Sequence, residues 1–441
     1  GGPAGIGAAL RSARLGRKTM IVEMQDCLGG MSTAGMMSHW GGRSSSKLLR
    51  EIFDRAAEMG PSYGGAAETC AGENAIYHDV QKILFDTMAR EAGVEVLFYT
   101  IVCGAIVEDG AVRGVVIQNK SGRGVILARR VVDATGDGDV AAACGVPFVK
   151  GREEDGRMQP GTLMFKIGGV DYERAVLPGS FETLVETPKG ELQALARQLL
   201  PPPAGHVLLY AQPKDGTICC NMTNVTDVDG TDAASVTRAL VTCRAQIGPI
   251  LEFLREYAPG YEHCWLMSVG SLMGIRETRH FRGEQTLLPD DILTARVYDD
   301  WVVRRAFFNF DVHNLTGPGL DKNGVQRDWK QPDAYTIPYG CLLPVGVENL
   351  LLSGSKATGK NVLAENLAQA FGRPAWNVSF HVNMDAAGLI GMDTFEGGEV
   401  RFRPGPITLC AENGGFGVLD EINMAKNESL AVLHATLDFR R

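Results

Sequence analysis

No two of the ten cysteines stand at the CxxC spacing used by zinc and iron–sulfur sites; Cys27, Cys70, Cys103, Cys144, Cys219, Cys220, Cys243, Cys264, Cys341 and Cys410 are dispersed along the 441 residues. They read as reduced thiols. Apolar runs such as residues 345–352 fall far short of the roughly 20 residues that a bilayer span needs, and the N-terminus shows no charged-then-apolar leader pattern. A cytoplasmic location without a membrane partner is the expectation. An excess of positive charge is also missing: 43 Lys and Arg against 52 Asp and Glu give a net charge of -9. That balance argues against a nucleic-acid partner, because such proteins present a basic face to the phosphates. Finally, no Pro/Gly/Ser-rich linker separates one part of the chain from another, although independent domains normally have one.

What is abundant is glycine, 54 residues spread through the chain, with 45% hydrophobic and 22% charged residues. Dispersed glycines suit many tight strand-to-helix turns, and the length allows two or three domains of α/β type. The first such turn opens the sequence. Gly1-Gly2-Pro3-Ala4-Gly5-Ile6-Gly7 leads into a helix-like stretch over residues 8–15, a turn at Gly16, and an apolar strand, Thr19-Met20-Ile21-Val22, that closes on Glu23. Glycines, then a helix, then an acid about 20 residues on is the layout of a dinucleotide site. Gly2 and Gly5 let the backbone approach a pyrophosphate at the helix N-terminus, and Glu23 accepts the ribose hydroxyls. The first glycine of the motif and the strand before it would precede Gly1, so the expected domain is Rossmann-like and N-terminally truncated.

Further motifs follow: Leu28-Gly29-Gly30-Met31-Ser32-Thr33-Ala34-Gly35, and Asp133-Ala134-Thr135-Gly136-Asp137-Gly138-Asp139 at the end of an expected strand over 125–132. Together with Gly-Gly-Pro-Ala-Gly these segments resemble the FAD-dependent oxidoreductase family of two-dinucleotide-binding-domain flavoproteins. The resemblance implies FAD, with Glu23 on the adenosine ribose, Gly29 and Gly30 in the cofactor site, and Ala134, Thr135 and Gly136 against the dinucleotide. Two strand-like runs, 93–105 and 112–119, flank the turn signal Glu108-Asp109-Gly110, and the resemblance makes them an inserted β-ribbon beside the adenine.

From 151 to 334 the pattern changes to apolar strands (162–167, 206–210, 218–222) and one long helix-like segment over 233–257. This resembles the α+β substrate domain of the same family. Hydride transfer needs a cation or donor where charge develops, and the fixed fork of arginine suits carboxylates. Arg276, Arg279, His280 and His313 are the candidates for catalysis on a small, anionic organic substrate. Each also has a plain structural reading: an Arg-Glu-x-Arg run can be an internally paired face, and a histidine can merely satisfy backbone groups. No histidine stands in the context that carries covalent flavin in relatives of succinate dehydrogenase, so FAD is expected to be held non-covalently.

Residues 335–349 read as a return strand toward the first domain. Then Gly354-Ser355-Lys356-Ala357-Thr358-Gly359-Lys360-Asn361 fits G-x-x-x-x-G-K, with Asn361 where Ser or Thr is usual. Residues 349–353 would be the strand and 362–371 the helix of a P-loop; Gly354 and Gly359 shape the phosphate cradle and Lys360 reaches the terminal phosphates. Phe416-Gly417-Val418-Leu419-Asp420-Glu421 supplies the matching acidic strand end. Asp420, with Asn361, would hold Mg²⁺, and Glu421 would polarise the attacking water of bound ATP. These motifs, with Arg401-Phe402-Arg403-Pro404-Gly405-Pro406, resemble MoxR-type AAA+ ATPases, whose rings would require homo-oligomers.

The expected organisation is an FAD-binding Rossmann-like domain with a β-ribbon (1–150), an inserted substrate domain (151–334), a return strand (335–349) and a partial P-loop α/β domain (350–441). Three functions compete: a flavin oxidoreductase, an ATP-driven protein-remodelling module, and an inactive chimeric fragment of both. The third rests on each nucleotide site lacking part of the scaffold its family uses, and the stretch 349–354, which fits either family equally well, is where the two would join.

Overall fold

A computed structural model describes residues 1–37, 39–40, 46–63, 76–181, 183–307, 310–320, 334–353, 375–379, 391–396, 399–404, 408 and 416–420. The chain divides into two compact units, Gly1–Ala364 and Glu365–Arg441.

The first unit begins with helix α1 (Pro3–Arg14), capped by Gly2 with Pro3 in its first turn, where the fixed φ of proline suits the helix start and its missing N–H costs nothing. Gly16, at φ +76°, turns the chain out of the helix and into strand β1 (Met20–Val22). Helices α2 (Lys47–Met59) and α3 (His78–Ala92) follow, the latter ended by Gly93 at φ +72°. Strand β2 (Glu95–Leu97) then pairs parallel with β1. Ile6, Leu10, Ile21, Leu28, Ile52, Leu84, Phe85 and Met88 interlock beneath these elements as one core.

The expected ribbon has three strands: β3 (Ile101–Glu108), β4 (Ala111–Asn119) and β5 (Gly122–Leu127), all antiparallel. The stretch read as one strand over 125–132 is therefore two, because its first half pairs with β4 while β6 (Val131–Asp133) joins a different sheet. Helix α4 (Asp139–Ala143) and strand β7 (Phe148–Lys150) complete this region.

The central region is built on a four-stranded antiparallel sheet. Strand β8 (Phe165–Gly168) is flanked by the strands Ile218–Cys220 and Trp265–Val269, and Leu209–Ala211 lies beyond Ile218–Cys220. One face of the sheet is apolar: Phe165, Ile167, Leu209, Ile218 and Cys220 pack on the helices Leu192–Leu199 and Ala233–Tyr257 with the fully buried Tyr261. The long helix has the bounds that its sequence pattern predicts. Asp232 caps its start, accepting from the amides of Ala234 and Ser235, and Ala258-Pro259 ends it.

The strand Leu350–Leu352 returns to the beginning of the unit, pairing parallel with β6; the amides of Val131 and Ser353 donate to the carbonyls of Asn349 and Asp133. The strand expected ahead of a P-loop is thus hydrogen-bonded to the strand that carries Asp133. In the second unit, Ala375–Ser379 pairs parallel with Phe416–Asp420, and Gly391–Glu396 pairs antiparallel with Glu399–Pro404. The helix expected over 362–371 lies outside the described residues. Among the described residues no helix is long and apolar enough to cross a membrane.

Candidate functional site

Three glycine-rich turns meet at the N-terminus of α1. A Cβ on Gly2 would meet nothing within 4 Å, so the space over the first turn is open. A Cβ on Gly5 would come 3.3 Å from the Cβ of Ala134, and one on Gly30 would come 3.0 Å from the Cα of Gly2. The Gly29 amide donates to the Gly1 carbonyl at 2.8 Å, and Gly29 itself sits at φ +112°, a conformation that only glycine adopts without strain. The first turn of α1, the Gly29–Gly30 turn and Ala134 therefore lie close against one another, with open space over Gly2, where a pyrophosphate can approach main-chain donors. Glu23, 8% exposed, follows β1; one carboxylate oxygen accepts from the Gln25 amide at 2.8 Å and the other lies 2.9 Å from the nitrogen of Gly1. An open backbone cradle beside a buried carboxylate fits a dinucleotide.

The loop after β6 is held from inside. Buried Asp133 accepts from the Thr135 hydroxyl at 2.7 Å, the Thr135 amide at 3.1 Å and the Ala141 amide at 2.9 Å. Burial raises its pKa, against the pull of those donors. The loop is held from outside by Arg279, which donates to the Asp137 carbonyl and to Asp139, both at 2.8 Å, while Thr278 donates to the Asp137 side chain at 2.9 Å. Arg279 reaches them because its strand, Arg279–Phe281, pairs with β7. His280 points elsewhere, half exposed, with its Nε2 2.8 Å from Glu277.

Arg276 and His313 come together in a buried polar cluster. Arg276 donates to the Pro160 carbonyl at 2.8 Å and the Thr162 hydroxyl at 3.0 Å. Burial lowers its pKa, opposed by the negative field of Asp311. His313 faces Asp311 at 3.4 Å, and its amide donates to Gln159 at 3.1 Å. Burial and the charge of Arg276 push the His313 pKa below its ordinary value despite Asp311, so the imidazole is neutral near pH 7. The Asp311 pKa moves down: burial raises it, but the His313 hydrogen bond and the Arg276 charge prevail. Phe181 stands edge-on to His313 and to His206, with centroids 5.3 and 5.1 Å away. The His206 Nε2 lies 2.9 Å from the carbonyl of Asn221, which can only accept, so Nε2 carries the proton and buried Nδ1 is a bare acceptor with no partner among the described residues. Sequence reasoning missed Asp311, His206 and Phe181. They lie on separate loops, and no spacing links them to Arg276.

Of the nucleotide residues expected at the C-terminal end, Gly354, Gly359, Lys360, Asn361 and Glu421 lie outside the described residues. Asp420 closes the strand Phe416–Asp420.

The family described as FAD dependent oxidoreductase matches residues 1–370, and the AAA domain (dynein-related subfamily) matches residues 349–441, so both cover the strand at 350. The uncharacterized protein YojN of Bacillus subtilis (strain 168) is 40% identical over 98 residues, 21% of this chain and 32% of that protein. An uncharacterized protein of Staphylococcus saprophyticus subsp. saprophyticus is 37% identical over 99 residues, 21% of this chain and 38% of that protein. The chain thus spans about a third of the length of these curated relatives. Among solved structures, p-nitrophenol 4-monooxygenase PnpA from Pseudomonas putida DLL-E4 is 12% identical with a TM-score of 0.39, covering 65% of this chain and 67% of that one. A geranylgeranyl bacteriochlorophyll reductase-like protein from Thermoplasma acidophilum is 16% identical with a TM-score of 0.37, covering 62% and 64%. Likenesses of this size carry no argument about activity. The match over residues 1–370, with the glycine cradle and Glu23 inside it, is decisive: the chain belongs to the FAD dependent oxidoreductase family and carries an AAA-type segment at its C-terminal end.

Proposed function

We propose that the chain moves a hydride between non-covalently held FAD and a small, anionic organic substrate. The observation that carries this reading is the close approach of Gly5 to Ala134 and of Gly30 to Gly2, open over Gly2 and beside the buried carboxylate of Glu23. FAD, when bound, supplies the ring that takes or gives the hydride. The amides at the start of α1 and the Gly29–Gly30 turn hold the pyrophosphate, Glu23 accepts the ribose hydroxyls, and Ala134, Thr135 and Gly136 line the dinucleotide. Arg276 stabilises negative charge on the reacting group, and His313, oriented by Asp311, moves the proton. Arg279 is a positioning residue, because its bonds go to the Asp137–Asp139 loop. In this reading 1–150 is the cofactor domain, 151–334 the substrate domain, and 335–349, expected as the return strand, leads into the strand Leu350–Leu352 that makes the return pairing.

The purified protein should show the visible flavin band and should release intact FAD on heat denaturation; a colourless protein that takes up no added FAD would reject the proposal. Arg276→Lys should keep the flavin but slow its anaerobic reduction by active acids about 100-fold, since an ammonium cannot reproduce a planar fork at a site of developing charge. Unchanged reduction would remove Arg276 from the chemistry.

The match of residues 349–441 to the AAA domain favours a second activity in the same chain. Here Gly354 and Gly359 shape the phosphate loop of an ATP site, Lys360 reaches the terminal phosphates, Asn361 and Asp420 hold Mg²⁺, and Glu421 polarises water. Assembly into homo-oligomers would accompany this activity. Lys360→Ala should weaken binding of labelled ATP by about 10–100-fold, the effect of removing one charged contact. Equal binding by the variant rejects the reading.

A further inference from the structure

The second face of the four-stranded sheet carries one polar side chain per strand in a row. Register places Tyr210 opposite Cys219, Cys219 opposite Lys166, and Lys166 opposite Ser268. Residues paired in this way point to the same face. Their neighbours Phe165, Ile167, Leu209, Ile218, Cys220 and Val269 belong to the apolar core on the other face, while Met267 beside Ser268 is exposed at a register shift. The row faces the segment that follows the Gly29–Gly30 turn: the Cys219 thiol donates to the Met36 carbonyl at 3.1 Å, and the Tyr210 ring lies 4.6 Å from that of His39. Nearby, the Ser271 amide donates to the Ala34 carbonyl at 3.0 Å. The row therefore lies on the same stretch of chain that borders the dinucleotide cradle.

Lys166 is the unusual member. Its side chain is 4% exposed, yet its ammonium meets only the outer limit of a hydrogen bond, 3.4 Å to a half-exposed Asp79 and 3.4 Å to the Tyr77 hydroxyl, with the Tyr77 ring centroid at 4.5 Å. A buried ammonium normally demands a close, desolvated partner, because losing water around a charge is costly. Beside it, the buried hydroxyl of Ser268 has no partner among the described residues, and neither ring nitrogen of His78, a residue 1% exposed and stacked on Tyr77, has one. An ammonium held only at 3.4 Å by Asp79 and Tyr77, a hydroxyl without a partner among the described residues and an imidazole with one N–H thus form a set rich in donors. A carboxylate has the charge and the acceptor count to satisfy it.

We propose that Lys166 anchors the carboxylate of the substrate, with Ser268 donating a second hydrogen bond, so that the row Ser268–Lys166–Cys219–Tyr210 is the floor of the substrate site. This rests on the reading of the chain as a flavin oxidoreductase with an anionic substrate. The division of labour follows from the two cations. Lysine is a flexible point charge suited to holding an anion, while Arg276, whose charge is felt by Tyr210 at the other end of the row, offers the planar fork suited to the reacting group. Lys166 and Tyr210 stand two strands apart, about 10 Å between backbones, so a short acid reaches from one end toward the other.

The test is titration of the FAD-loaded full chain with a panel of short acids (acetate, pyruvate, lactate, succinate, glutarate), following flavin difference spectra and binding heat. At least one acid should bind. Lys166→Met should weaken that acid about 10–100-fold with unchanged FAD content, Lys166→Arg should restore most of the loss, and Ser268→Ala should weaken it about 3–10-fold. If Lys166→Met does not fold, Ser268→Ala decides. A flavin-loaded protein that binds no acid of the panel, or binds it as tightly in Lys166→Met or in the deciding Ser268→Ala, overturns this inference alone. A protein that holds no FAD defeats the underlying reading as well.

Discussion

Gly30→Val should give a folded protein that has lost at least about 90% of its flavin, because two costs fall on one atom. Gly30 sits at φ +51°, where a β-branched residue is strained, and its new Cβ would press on the Cα of Gly2 from 3.0 Å. Gly2 caps α1, so any shift of its backbone turns the first helix amides away from the pyrophosphate. Glu23→Ala should act on the other end of the cofactor. If Glu23 accepts from the ribose hydroxyls as proposed, its loss removes charge-assisted hydrogen bonds of about 1.5–3 kcal/mol, or roughly 10–100-fold in FAD affinity. Gly16→Ala is the control. Gly16 has φ +76° but nothing within 4 Å of a Cβ, so the variant should lose about 1 kcal/mol of stability and keep its FAD. FAD content per chain, measured beside urea unfolding, separates the cases. Flavin retention in Gly30→Val would show that the turn does not border the cofactor.

How much of this could be read from the sequence depends on whether a feature is local. Gly2, Gly5 and Glu23 follow one another on a turn, a helix and a strand, and the helix Ala233–Tyr257 has its cap, apolar stripe and terminating proline in a single segment. These were legible. The division of the 125–132 stretch into two strands was not, because it depends on which distant strand each half meets: β4 for the first, Leu350–Leu352 for the second. The four basic candidates divide by the same logic. Arg276 and Arg279 lie three residues apart, yet one is buried against Pro160 and Thr162 and the other is bound to the Asp137 loop through the pairing of its strand with β7. Lys166 went unremarked for a related reason. In Phe165-Lys166-Ile167 it looks like the solvated position of an alternating strand, and only the register with Cys219 and Ser268, together with Tyr77 and Asp79 at the start of α3, makes it a buried cation.

The same burial should make the protein sensitive to mild acid. His78 and His206 are each pushed down to about 3 from 6.5, by burial first and then by the charge of Lys166 and Arg276 respectively. Between those values the unfolded chain takes up a proton that the folded protein refuses, so the stability contributed by keeping each ring neutral is intact above about pH 6.5 and declines as the pH falls toward 3. Near pH 5 the loss is about 2 kcal/mol per histidine, and about 4 kcal/mol for the pair, a large part of the net stability of a typical domain. Asp133 works in the opposite sense: its pKa is raised by burial, so it binds a proton more readily when folded and offsets part of the acid loss. The paired carboxylates with lowered values, Asp79, Glu277 and Asp311, add to the acid loss only below their ordinary range near 4. The window between pH 7 and 5 therefore belongs to the buried histidines, His78 and His206 first and then His313, whose pKa is also lowered by burial. Urea midpoints across it should fall steeply in the wild-type protein, less steeply in His78→Gln or His206→Gln, and least in the double variant, where His313 remains, whatever their absolute stability at pH 7. An unchanged slope in the double variant would mean that both rings gain a proton without unfolding, and that neither is as closed off from water as its packing against Tyr77 and Phe181 implies.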